Sequence, residues 1–174
     1  MRSVSGWLSG ERVTLPGSDT GPVIDEPAPD FTLPAWTADG ATELTLSAQR
    51  GVPVVLAFYP GDDTPVCTKQ LCSYQDDLSL LTDLGATLWG ISTQDLASPE
   101  RFAAKRGLTF PLLSDPDKAV HALYGAKGLL GLPKRAVVVV DPAGVVRWHQ
   151  ASQVGLTYAD TETIAGVLTG LTRR

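Results

Sequence analysis

The sequence predicts an α/β sandwich: a central mixed β-sheet with helices on its faces. Three observations lead there. Strand-like and helix-like segments alternate from about residue 28 onward. Segments 52–58, 86–92 and 135–140 are near-continuous apolar runs, the pattern of strands covered on both faces. The last of them is followed by a turn and a returning strand, which makes that edge of the sheet antiparallel. At 174 residues the chain is sized for one domain. With 43% apolar and 19% charged residues it can bury a sizeable core, which excludes wholesale disorder.

Residues 1–27, rich in Ser, Gly, Thr and Pro, are expected to form an irregular N-terminal arm, with the domain spanning 28–174. Short strands are expected at 31–33 and 42–46, with a turn at Gly40 between them. The buried strand at 52–58 ends in Pro60-Gly61-Asp62-Asp63. A helix should then open at Thr64 or Pro65, where a proline's missing N–H costs nothing, and run to residue 84. Its apolar positions Leu71, Tyr74, Leu78 and Leu81 keep the spacing of a core-facing stripe. After the strand at 86–92, a helix should start at Ser98 and stop at Gly107. A short strand is expected at 111–114 and a helix at 115–124, halted at Gly125. The strand at 135–140 closes in the turn Asp141-Pro142-Ala143-Gly144, with its hairpin partner at 145–150 and a last helix at 160–171. This is the thioredoxin-like arrangement, a three-layer sandwich; the pattern alone also allows a small flavodoxin-like domain. Phe58, Tyr59, Trp89, Tyr124 and Trp148 read as core, and Trp36 as a loop residue near the surface.

Charge and composition narrow the function. Fourteen Lys+Arg against nineteen Asp+Glu give a net charge of −5, with no basic stripe for nucleic acid. No apolar run reaches membrane-spanning length, and the N-terminus shows no stretch of signal-peptide type, so a cytoplasmic location is expected. Two cysteines in a reducing compartment point to catalysis or metal before a structural disulfide.

Cys67 carries the chemistry. It sits in the first turn of the helix predicted to follow a buried strand, where unpaired N–H groups and the helix dipole favour thiolate over thiol. Taken singly, a cysteine is more often a small buried hydrophobe; this placement shifts the balance. Ionisation alone achieves little. A thiol of pKa about 8.5 is ~3% ionised at neutral pH and one of pKa ~6 about 90%, a roughly 30-fold gain. The weaker nucleophile gives back about 13-fold of it. Donors must therefore stabilise charge on the leaving group. Thr64, three residues before Cys67, and Arg135, opening a buried strand, are the two donors on offer. Each has a plainer reading, Thr64 as an N-cap and Arg135 as a solvated surface charge. Lys134 is read as surface.

Pro60-x-x-x-Thr64-x-x-Cys67 is similar to the active-site motif of the peroxiredoxins. Cys72, five residues later, resembles their Q-type, or bacterioferritin-comigratory, branch. Ala28-Pro29-Asp30-Phe31, Phe58-Tyr59-Pro60, Gly90-Ile91-Ser92, the segment from Phe110 to Asp115 and the Arg135 strand resemble family blocks in the same order, over about residues 24–172. The resemblance implies that Cys67 is the peroxidatic cysteine, oxidised to a sulfenic acid by hydrogen peroxide or organic hydroperoxides. Cys72 would be the resolving cysteine, condensing with it to an intramolecular disulfide. Pro60, Thr64 and Arg135 would shield, hydrogen-bond and polarise the peroxide. It further implies a thioredoxin or similar dithiol reductant, no cofactor or metal, and a monomer or weak homodimer. Two positions depart from the family pattern: Gln70, where many members carry Glu, and Pro99 with its surroundings.

Three rivals compete. Cys67 and Cys72 with His121 and His149 would make four zinc ligands, but without C-x2-C or H-x3-H spacing. A thiol–disulfide oxidoreductase would present C-x-x-C, two residues shorter than the spacing here. A non-enzymatic thioredoxin-fold interaction module leaves Thr64, Cys67 and Arg135 as coincidence.

Overall fold

The computed structural model describes residues 21–62, 64–152 and 158–172. Most of the expected arm, residues 1–20, lies outside the described residues, as does Asp63 of the loop before Thr64. Residues 21–27 are irregular and tied to the domain: the Asp25 N–H donates to the Val146 carbonyl at 2.7 Å, and Pro27 bridges Val145.

Strands β1 (Thr32–Thr37) and β2 (Gly40–Thr45) form a hairpin, followed by a 3-10 turn at Leu46–Gln49 and the strand β3 (Val54–Phe58). Next come α1 (Pro65–Asp76), α2 (Leu78–Thr82), β4 (Thr87–Ser92), α3 (Ala97–Arg106), β5 (Leu112–Ser114) and α4 (Ala119–Leu123). A 3-10 turn at Leu129–Gly131 leads into β6 (Arg135–Val140), β7 (Val146–Ser152) and α5 (Thr161–Thr172). The seven strands run in the order β2-β1-β5-β4-β3-β6-β7. β3 pairs in parallel with β4 and β4 with β5, while β6 lies antiparallel to β3 and β7 antiparallel to β6. The antiparallel edges exclude the flavodoxin-like alternative; the mixed sheet is thioredoxin-like.

β3 and β6 are buried at every position, as their unbroken apolar runs require. Alternate residues feed two cores. Val55, Ala57, Val137 and Val139 pack with Cys67, Leu71, Tyr74, Leu81, Phe102 and Ile164 on the face covered by α1, α2, α3 and α5. Val54, Leu56, Phe58, Val138 and Val140 pack with Phe31, Trp89, Val120 and Tyr124 on the other.

Several expectations need correction. The single helix over 64–84 is broken at Asp77 (φ −102°, ψ 14°) into α1 and α2. No glycine or proline marks this break. Asp77 is instead held by Thr161 of α5, whose hydroxyl donates to its carboxylate at 2.5 Å, so a tertiary contact overrides local propensity. Ser98 does not begin α3. Leu96 takes the N-cap position, Asp95 Oδ1 accepts the Ser98 N–H at 3.3 Å, and the Ser98 hydroxyl is used elsewhere. Gly107 does end that helix, in the left-handed conformation at φ 70°. The helix expected from 115 shrinks to Ala119–Leu123 because the Asp115 carboxylate is taken by His121. Trp36 lies in β1, not in a loop, opposite Leu112 of β5 and half-buried against the first core. Lys134 is buried, not a surface residue.

Candidate active site

β3 delivers the chain into the site at Pro60, whose carbonyl accepts the Thr93 hydroxyl at 3.3 Å. Thr64 is the N-cap of α1, in extended conformation (φ −86°, ψ 153°), with Pro65 at the first helical position. Its hydroxyl oxygen accepts the Cys67 backbone N–H at 3.4 Å, leaning toward the Gly61 carbonyl at 3.5 Å. Cys67 thus lies in the first turn of a twelve-residue helix, its side chain fully buried, where the helix dipole favours negative charge.

Arg135 opens β6 and is buried at 4% exposure, not solvated. Its Nη2 donates to Cys67 Sγ at 3.2 Å and its Nη1 to Gln70 Oε1 at 2.7 Å. A permanent cation, desolvated by the protein, faces the sulfur directly. Gln70 is fully buried one helical turn beyond Cys67. It donates from Nε2 to the Tyr74 hydroxyl at 3.2 Å, which donates in turn to the Ala159 carbonyl at 2.5 Å. Burial, the largest influence, pushes the Tyr74 phenol above its ordinary range, so it stays a neutral donor.

A second network braces the loop that carries Thr64. The Tyr59 hydroxyl donates to Asp62 Oδ1 at 2.5 Å and the Ser98 hydroxyl to Asp62 Oδ2 at 2.8 Å. Gln94 accepts the Asp62 N–H. Burial, then the charge of Asp62, raises the Tyr59 pKa well above normal.

Of the residues singled out in sequence, Thr64, Cys67 and Arg135 are brought into contact through Cys67, with Pro60 in the loop between β3 and Thr64. Cys72 shares α1 with Cys67; both are free thiols, Cys67 buried and Cys72 half-buried. His121 packs edge-on to Phe58 at 5.1 Å in the core across the sheet from Cys67, and His149 lies on β7. Among the described residues no three metal-ligating side chains cluster. Gln70, Tyr74, Asp62 and Ser98 were not picked out in sequence as site residues. Gln70 alone left a signal, standing three residues after Cys67 and hence on the same helix face.

A thioredoxin-like protein presenting one charge-supported buried thiol is the class that fold and site define. The profile of the AhpC/TSA family matches residues 24–149. The chain is 45% identical over 127 residues to a chloroplastic peroxiredoxin Q of Triticum aestivum, covering 72% of this chain and 57% of that protein. It is 37% identical over 131 residues to a putative peroxiredoxin of Coxiella burnetii, covering 71% of this chain and 84% of the relative. In fold it is similar to the reduced 2-Cys peroxiredoxin of Plasmodium vivax (TM-score 0.78, 22% identity, 86% of this chain and 96% of that one). It is equally similar to Enterococcus faecalis AhpC (TM-score 0.78, 20% identity, 86% and 92%). The chain belongs to the AhpC/TSA family. It spans little more than half the length of the plant relatives it matches, 57% in the wheat protein.

Proposed function

We propose that the protein is a thiol-dependent peroxidase, reducing hydrogen peroxide and organic hydroperoxides. The observation that carries this reading is the 3.2 Å contact from Arg135 Nη2 to a buried Cys67 Sγ at the start of α1. The thiolate attacks the terminal peroxide oxygen, the O–O bond breaks, and the departing alkoxide takes a proton and leaves as alcohol or water. Cys67 becomes a sulfenic acid. Arg135 serves twice, holding the thiolate and then donating to the oxygen on which charge develops. Thr64 orients the peroxide and Pro60 limits water. The Cys72 thiol then displaces hydroxide from the sulfenic sulfur, forming the Cys67–Cys72 disulfide and releasing water. A thioredoxin-like dithiol returns both thiols. The relatives' names and family support the reading.

That chemistry suits a compartment supplied with dithiol reductant. We place the protein in the cytoplasm and expect a monomer or weak homodimer; no helix among the described residues is long and apolar enough to cross a membrane.

Peroxide consumption with thioredoxin and its reductase, or with dithiothreitol, tests the reading. Cys67→Ser should abolish turnover, while Cys72→Ser should consume about one equivalent and stall as sulfenic acid. Full turnover in Cys67→Ser overturns the assignment.

A further inference from the structure

Immediately before Arg135 the chain makes a tight loop, residues 127–133, that the thiol site does not use. Its backbone is held at both ends and at Gly131. Lys127 and Pro133 pair as an antiparallel bridge, and the Gly128 N–H donates to the Leu132 carbonyl at 2.7 Å. Lys118 reaches across from the start of α4, its Nζ donating to the Gly131 carbonyl at 2.9 Å. Within this frame Leu130 is left-handed (φ 59°, ψ 20°), a region that a branched side chain enters only against steric resistance. Lys118, which clamps the loop, is left-handed as well (φ 62°).

Burial does not offset the strain. Leu130 is 97% exposed and Leu132 62%. A strained loop that holds two leucines in water gains nothing for the fold, and such features mark recognition surfaces. Charge points the same way. Residues 127–133 carry one charged side chain, Lys127, and no carboxylate falls between it and Lys118, which clamps the loop, in a chain whose net charge is −5. Lys127 is exposed on the loop itself. A second copy meeting this loop through the same loop would set cation against cation; an acidic partner would be attracted. The loop also ends at the residue whose guanidinium touches Cys67 Sγ, so a protein seated on it stands at the rim of the thiol site.

We propose that Leu130 and Leu132 form the docking knob for the protein that reduces the Cys67–Cys72 disulfide, a dithiol protein with an apolar patch beside its reactive cysteine and an acidic surround. This rests on the peroxidase reading. In the step served, a partner thiolate attacks one sulfur of the disulfide to give a mixed disulfide, which the partner's second thiol then displaces. The partner dithiol is oxidised by two electrons, and those electrons with two protons end on Cys67 and Cys72.

The test preforms the disulfide with diamide, so that peroxide chemistry does not enter. The second-order rate constant of its reduction is then measured with reduced thioredoxin and with dithiothreitol. The double variant Leu130→Ser/Leu132→Ser should lose about tenfold or more with thioredoxin. Lys127→Glu should lose roughly threefold at low salt and recover as salt screens the charge. Both should react with dithiothreitol at the wild-type rate. The proposal fails if thioredoxin reduces the double variant within about twofold of wild type, or if both reductants slow equally. It fails too if thioredoxin reduces the wild-type disulfide no faster than dithiothreitol does. A wild-type dimer lost in the double variant, with reduction unchanged, would make the loop a self-interface instead. Failure of the peroxidase reading would appear separately, as wild-type protein that consumes no peroxide with dithiothreitol.

Discussion

Two buried polar clusters lie on opposite faces of the sheet, and they are wired differently. Beneath α1 the Arg135 guanidinium holds Cys67 Sγ with one nitrogen and Gln70 with the other, and the chain of donors continues through Tyr74 to the Ala159 carbonyl. Beneath α4 the Asp115 carboxylate uses a single oxygen, Oδ2, to accept both the backbone N–H and the ring Nδ1 of His121, each at 2.7 Å. Asp115 Oδ1 and His121 Nε2 are buried with no partner among the described residues. The first cluster directs a permanent charge at a nucleophilic atom; the second closes on itself and fastens the start of a five-residue helix. Burial of charge is common to both, so it does not distinguish a reactive site from a clamp. Direction toward a reactive atom does.

The sharpest way to break the comparison is to remove the cation. Arg135→Ala should slow the peroxide-dependent step by about 10²–10³-fold, the scale for losing one donor to developing negative charge. It should also leave Gln70 Oε1 buried without its partner, costing about 1–3 kcal/mol in denaturant titrations. Arg135→Lys should recover little, because a point charge cannot satisfy Gln70 and the sulfur together. If both variants react with peroxide at the wild-type rate, the two clusters are equivalent and the contrast is empty.

The opposite cluster should respond in stability alone. His121→Leu strips the ring donor from a buried carboxylate and should cost about 2–4 kcal/mol in denaturant titrations, with the peroxide rate constant unmoved. A pH signature accompanies it. Burial pushes the Asp115 carboxyl up, but hydrogen bonds from the His121 ring and backbone outweigh it and hold the pKa below the ordinary carboxylate range. A lowered folded-state pKa gives stability that is present above the unfolded value of about 3.9 and lost as pH falls through the folded one. His121→Leu should therefore unfold in acid at a higher pH than wild type. A fall in peroxidase rate without a fall in stability would mean that the clamp reaches the site.

Much of this arrangement was legible in the sequence, and what was not has a physical cause. β6 reads directly, since residues 135–140 are apolar after Arg135 and buried throughout. Thr64, Pro65 and Cys67 were placed correctly because capping is a local rule. Asp77 could not be read as a helix break, because its cause is Thr161, 84 residues away in sequence. Lys134 looks like a surface charge, and Arg135 is open between a site donor and a surface charge, until the fold buries both. Tyr74 reads as core from its place in the apolar stripe, but its hydroxyl bond to Ala159 depends on how α1 meets the segment before α5.

Gln70 offers a smaller effect and a finer cut. As a neutral amide it accepts from Arg135 without cancelling its charge. Gln70→Glu keeps the shape and an acceptor but pairs the guanidinium with a buried carboxylate, drawing its field away from the sulfur. The peroxide step should slow by less than in Arg135→Ala, on the order of a few-fold, because the guanidinium stays in place and only its field is divided. Stability should change less than in Arg135→Ala. An unchanged rate constant would show that Gln70 only holds the arginine in place.

The smallest signal, and the one that most sharpens the contrast, is structural: if Cys67 and Cys72 form the proposed disulfide, the Cys67 cluster must come apart each time it forms while the Asp115 cluster stays closed. α1 runs unbroken from Pro65 to Asp76 through both cysteines. Five residues along a helix rise ~7.5 Å and turn the side chains about 140° apart, which sets the Cα atoms roughly 8.7 Å from each other. A disulfide bridges at most ~7 Å. The cysteines therefore cannot join until the first turns of α1 unwind, releasing the Thr64 cap, the Arg135 contacts and Leu71. Returning Leu71 to water costs about 1.5–3 kcal/mol, well within reach of a local opening. Tyr74, bonded to Ala159, and Asp77, bonded to Thr161, are the anchors at which unwinding stops. Oxidised protein should accordingly lose about two turns of helix by circular dichroism, and amide exchange should quicken between residues 64 and 77. Exchange across 115–125, where His121 grips Asp115, should not change. A disulfide that forms with exchange over 64–77 unaltered would mean that the two sulfurs meet on an intact helix, and that the fully bonded cluster is as static as the clamp across the sheet.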